Sequence, residues 1–323
     1  MNNFTKLIDL AAERTGGLVL ETTDDFFARK ENLIKPGRGI FIEGKYTDNG
    51  KWMDGWESRR KRVPGHDWCV VELGLRGIIA GVDIDTNHFL GNHPPHASIE
   101  AACVNGVPND DDWHEILPKI SLEPGSQNLF EIDSEQEWTH VRLHIYPDGG
   151  VARLKVYGEV KPDWSQVSPQ ENIDLIAVEN GGRVISCNDM FFSDKDNLIM
   201  PHRGENMGDG WETKRRRGPG HDWCILKLGH PGGVKTVEVD TCHFKGNFPD
   251  RCSLEAINAP DAKDEDLESM DWQPFMPETK LSADYQHYFQ SELLHHSVIT
   301  HVRFNIYPDG GISRLRLTGK IDR

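Results

Sequence analysis

The tract DGWESRRKRVPGHDWC, beginning at Asp54, returns as DGWETKRRRGPGHDWC at Asp209 with unchanged internal spacing. An acid, a tryptophan, a basic run, a Pro-Gly turn and His-Asp-Trp-Cys written twice restrict the chain to a fold in which one unit occurs twice. The rest of the sequence agrees. DLAAERTGG at Asp9 matches DLIAVENGG at Asp174, and DDFFARKENLIKPGRG at Asp24 matches NDMFFSDKDNLIMPHRG around Asp189, both at an offset of 165 residues. After Gly39 the first copy carries the extra loop IFIEGKYTDNGKWM where the second has ENMG, and the offset becomes 155. An acidic insertion in the second copy, PDAKDEDLESMDWQPF, moves it to 161, where THVRLHIYPDGGVARLKVYG meets THVRFNIYPDGGISRLRLTG. A period this long denotes tandem domains rather than a solenoid. The expected division is residues 1–160, a polar linker at 161–171 within KPDWSQVSPQEN, and 172–323.

Within each copy the apolar residues alternate. Val82 and Ile84 interleave with Asp83, Asp85 and Asn87, and Val141, Leu143 and Ile145 with His140, Arg142 and His144. WCVVELG, the segment around Ile78 and ASIEAACV read as further short strands, and Pro-Asp-Gly-Gly as a hairpin turn. One helix is expected per copy, over NFTKLIDLAAER and NIDLIAVEN. The fold class is therefore all-β: two tandem jelly-roll β-sandwiches, with their chemistry in loops at one end or on a sheet face.

A net charge of −16 excludes a broad nucleic-acid surface, although a few local arginines can still hold a small anion. No apolar run is long enough for a membrane helix, and MNNFTKLIDLAAERTGG lacks the apolar core of a secretory signal. Six cysteines without a C-x-x-C pair fit buried thiols, Cys69 and Cys224 among them, and a cytoplasmic, reducing setting.

Four groups with chemical potential recur in both copies. Glu57 and Glu212 precede the basic runs, which contain Arg59, Arg60, Arg215 and Arg216; His66 and His221 follow a Pro-Gly turn. His88 with Asn92, and His243 with Asn247, come after strands ending in Asp85 and Asp240. His140 with Arg142, and His301 with Arg303, share a strand face. Arginine suits bidentate capture of a carboxylate, and histidine suits proton transfer near neutrality. Each group also has a plainer reading: a solvated charge run, a turn-capping Asp67, or a surface or inter-domain contact for His140 and Arg142. Trp56, Trp68, Trp211 and Trp223 are expected in the core. His88, His93 and His96 have a metal-like spacing, but the second copy has Phe248 and Arg251 in place of the last two. No required cofactor is evident, and a weakly bound divalent metal stays open.

The paired DGWESRRKR/DGWETKRRR tracts, with VDIDTNHFLGN/VEVDTCHFKGN and HVRLHIYPDGG/HVRFNIYPDGG, resemble the allantoicase family across nearly the whole chain. The resemblance implies hydrolysis of allantoate to ureidoglycolate and urea, and domains similar to galactose-binding and discoidin-type modules. On that reading an arginine holds the substrate carboxylate and a histidine protonates the departing urea. Asp85, Asp240, Glu57 or Glu212 then deprotonates water. Two independent sites, one decayed half, or one site at an interface are the arrangements a duplication allows, and the halves differ where His93, His96 and His144 face Phe248, Arg251 and Asn305. A non-catalytic binding module, which would need exposed aromatics in its loops, and a metal-dependent amidohydrolase of another ureide are the competing classes. Sheet edges and the acidic insertion near Asp261 are available for assembly of a homo-oligomer.

Overall fold

The structure, a computed structural model, describes residues 3–294 and 298–322. The chain divides into two compact units, Met1–Lys161 and Pro162–Arg323. Each is a β-sandwich built around one long strand, Asp67–Asp85 in the first and Asp222–Asp240 in the second. WCVVELG and the segment around Ile78, read from sequence as separate strands, are parts of this single element.

The long strand serves both layers. Residues 67–72 pair with 140–145 and with Leu18–Thr22, and 77–78 with 137–138, whereas residues 77–85 also pair with Arg153–Val160 and 81–85 with Gln127–Glu131. The break in the ladders lies between 72 and 77 and includes Gly74, where a Cβ would lie 2.4 Å from the Thr15 carbonyl oxygen. Because Asp67 sits opposite Ile145 and Asp85 opposite Arg153, both ends of the strand return to the Pro-Asp-Gly-Gly turn that joins those partners. Asp222 opposite Ile306 and Asp240 opposite Arg314 repeat the arrangement. The basic tract before the strand, the loop after it and the turn thus share one rim.

Alternation is present but does not separate core from solvent, since Asp83 and Asp85 are as buried as Val82 and Ile84. Burial pushes the Asp83 carboxyl up to about 6 despite a hydrogen bond from Gln127. The expected helices are absent from both units. Over NFTKLIDLAAER the chain forms a short 3₁₀ turn, Asn3–Lys6, then a two-residue strand, Ile8–Asp9, on Gly158 and Tyr157, and a second turn, Glu13–Thr15. NIDLIAVEN repeats this with Ile173–Asp174 and Val178–Asn180. A dozen residues make a marginal helix in isolation. Here Leu10 and Ala11 gain full burial, and Asp9 Oδ1 accepts from the backbone of Ala11 and Val156. No helix among the described residues is long and apolar enough to cross a membrane.

Candidate active site

At the first rim Trp56–Glu57 pairs with Gly150–Val151, and this two-residue ladder aims Glu57 at the loop that follows the long strand. Asn92 donates to Glu57 Oε1 at 2.7 Å, and burial raises the Glu57 carboxyl above its ordinary range. The turn fits only with glycine: a Cβ on Gly149, at φ 140°, would lie 2.7 Å from the Asn92 carbonyl oxygen. The basic run is divided by function. Arg59 is held by Asp24 through its Nε at 2.7 Å and lies over the Phe26 ring. Lys61 donates its backbone N–H to Asp148 and pairs through Nζ with buried Asp67 at 2.6 Å. Arg60 is exposed and, among the described residues, pairs with no carboxylate.

His66 is half-buried against the Tyr146 ring, 4.5 Å between centroids. Its Nε2 lies 2.9 Å from His144 Nδ1, and His144 Nε2 lies 2.7 Å from Glu100 Oε2. Arg142 closes the run on the same oxygen and is stacked at 4.5 Å from the Trp113 ring, with Trp68 on its other contact at 6.0 Å. Burial works against ionisation of Glu100, but the hydrogen bonds from His144 and Arg142 hold its carboxyl below the usual range. Burial likewise depresses both imidazoles, assisted by Lys61 at His66 and opposed by Glu100 at His144. The tautomers follow from this. An ionised Glu100 accepts Nε2–H of His144, leaving Nδ1 of His144 bare to accept Nε2–H of His66. His66 Nδ1 is then an unprotonated base.

The second rim repeats the frame with different contents. Glu212 accepts from Asn247, Lys214 replaces Arg59 on Asp189, and Arg216 replaces Lys61 on Asp222 while its backbone N–H holds Asp309. Glu212, Arg215, Arg216, Asn247 and Phe192 line a pocket of about 560 Å³. His221 is not among its walls; Arg216, which grips the next residue, Asp222, connects the two. His221 Nε2 reaches Asn305 Oδ1 at 3.3 Å, and Asn305 Nδ2 passes on to Glu255 at 3.2 Å. Arg303 lies 4.8 Å from the Trp223 ring and 5.9 Å from Trp272.

Several sequence candidates are engaged in other contacts. Asp85 is buried and held by the Arg38 guanidinium fork at 2.7 and 2.8 Å, as Asp240 is by Arg203 at 2.8 and 3.0 Å; both also cap backbone N–H groups. His140 and His301 are buried core histidines whose Nδ1 atoms meet the preceding threonine hydroxyls. Burial depresses both, His301 to about 4, so they remain neutral at pH 7. His88 and His243 take left-handed backbone angles, 68° and 70°; His88 is exposed beside Phe41, and His243 Nε2 meets the Gly204 carbonyl. Arg142 and Arg303 are clamped in tryptophan stacks rather than open to a ligand. Trp56 and Trp211 are core residues, but Trp68 and Trp223 are only half-buried because they form those stacks. Among the described residues no three His, Cys, Asp or Glu side chains converge as metal ligands, and His88, His93 and His96 form no such cluster.

The allantoicase repeat family matches residues 8–161 and again 173–322. The chain belongs to the allantoicase family. A probable allantoicase of Burkholderia mallei is 51% identical over 98% of this chain and 96% of its own length. One from Photobacterium profundum is 53% identical over 98% and 97%. The crystal structure of the Saccharomyces cerevisiae allantoicase, 35% identical, superposes with a TM-score of 0.82 over 97% of this chain and 93% of that one. Glu100, His144 and Lys61 are functional candidates that the motif reading did not place in the site. Glu100 recurs as Glu255 in SIEAA/SLEAI, a signal available in the repeat. Its meeting with His144 depends on the pairing of His144 with Ser98, two residues before Glu100.

Proposed function

We propose that this chain hydrolyses allantoate to ureidoglycolate and urea, and that the reaction takes place at the first rim with His66 as its base. Membership of the allantoicase family supports the substrate, and the hydrogen-bonded run His66–His144–Glu100 is the observation that carries the assignment of the site.

Allantoate has a central carbon bearing a carboxylate and two ureido groups. Arg60 receives the carboxylate bidentately. Glu57, oriented by Asn92, accepts ureido N–H. The N–H proton of the retained ureido group moves to His66 Nδ1 as that nitrogen's electrons form a carbon–nitrogen double bond. The opposite C–N bond breaks, and His66 delivers the proton to the departing urea nitrogen. Water then adds across the double bond, its oxygen to carbon and one proton, by way of His66, to nitrogen. One water is consumed, and a hydroxyl stands where urea left. This revises the sequence-based scheme, in which the histidine acted as acid and Asp85 was one candidate base for water. The neutral, Glu100-fixed tautomer suits His66 to accept first.

His66→Ala is expected to lower urea release from allantoate by about 10²–10⁴-fold with an unchanged urea-denaturation midpoint. A folded variant with wild-type turnover would remove His66 from this role.

A further inference from the structure

We propose that the pocket of the second repeat is a separate binding site for a small ureido carboxylate, one that holds its ligand without hydrolysing it. The inference rests on the reading of the first rim given above and extends it to a different cavity.

Three observations carry it. The pocket's volume of about 560 Å³ falls within the range of small-molecule sites. Its walls offer complementary chemistry: Arg215 is exposed and, among the described residues, pairs with no carboxylate, while the Glu212–Asn247 pair presents an acceptor for ureido N–H groups. Phe192, exposed by 62%, supplies an apolar face for a planar urea. This is the exposed loop aromatic that the sequence reading required of a binding module.

What the second repeat lacks, among the described residues, is a second imidazole behind the first. Asn305 occupies the position of His144. Its carboxamide accepts from His221 and donates to Glu255, so the resting hydrogen bonds have the same sense as in the first repeat. A carboxamide does not share a proton near neutrality, however, so a charge arising on His221 has no second imidazole behind it as a charge on His66 does. The frame that positions a ligand is retained, and the second imidazole that supports the base is not.

The test is equilibrium dialysis of the full chain against ureidoacetate, a carboxylate with one ureido group and therefore no second group to expel. Two sites per chain are expected in the wild type and in His66→Ala, and one in Arg215→Gln, whose exposed side chain can be changed without unfolding the domain. One site in the wild type, or two in Arg215→Gln, would overturn the inference. Allantoate hydrolysis in His66→Ala above about a tenth of wild type, abolished by adding Arg215→Gln, would show that the second pocket is itself catalytic and would also overturn it. Hydrolysis in His66→Ala that survives the added substitution would instead refute His66 as base and leave the two-site count standing.

Discussion

An ionised carboxylate that accepts from Nε2 of one imidazole determines which nitrogen of the next imidazole is bare. Glu100 does this for His144, and His144 for His66. The consequence is testable with the residue that the second repeat already uses. His144→Asn preserves an acceptor toward His66 and a donor toward Glu100, so the geometry survives while the imidazole that supports a protonated His66 is lost. The expected result is a fall in kcat of about 10²-fold, with KM changed less than about threefold. A structural role alone would lower stability and leave kcat per folded enzyme intact. In the wild type, kcat/KM should decline as pH falls through the depressed His66 pKa, below 6.5, because protonation removes the base. His66, Glu57, Asn92 and Arg60 could be proposed from the sequence because the repeat displays them in fixed spacing. Glu100 could not, because its contact with His144 arises from the register of two antiparallel strands some forty residues apart.

Asp9 explains why a helix-like pattern becomes an edge strand. The segment around it closes over Gly158 and Tyr157, and the carboxyl oxygen accepts from two backbone N–H groups in a partly buried position. Burial lifts this carboxyl to about 6, and its counterpart Asp174 to about 6 as well. A pKa higher in the folded than in the unfolded state means that the native protein binds the proton more tightly. The stabilising contribution is therefore complete below about pH 4 and disappears as pH rises to 6. Asp9→Asn keeps the accepting oxygen and removes the ionisation. Its stability relative to wild type should increase between pH 4 and pH 7 by at most about 3 kcal/mol, measured from urea midpoints at the two pH values. A difference independent of pH would contradict the assignment. The long strand shows a related limit of local patterning: WCVVELG and the segment around Ile78 read as separate strands, but the chain runs through both as one element.

Across the whole molecule, duplication has kept the frame and varied the contents. The Asp24–Arg59 and Asp189–Lys214 pairs, the Asp85–Arg38 and Asp240–Arg203 forks, and the Glu57–Asn92 and Glu212–Asn247 contacts all recur. Among the described residues, only the first unit has an imidazole run. His66→Ala and His221→Ala should therefore be unequal, the first nearly inactive and the second within about twofold of wild-type urea release. Equal losses in the two variants would argue for shared or equivalent sites. Asp85→Asn, by contrast, should act on stability, costing about 1–3 kcal/mol as the Arg38 fork loses its charged partner, with kcat nearly unaffected once the protein is folded.

The sequence alone determined that two like β domains exist, which loops are shared between them, and that those loops bring arginine, glutamate, asparagine and histidine together, since spacing and alternation are written locally and the repeat writes them twice. Tertiary structure decided which of those residues meet. Both faces of the strands are covered, so alternation could not tell a core histidine such as His140 from a half-buried rim histidine such as His66. The register of antiparallel partners, set by packing over long separations, placed Glu100 behind one imidazole and an asparagine in front of its counterpart.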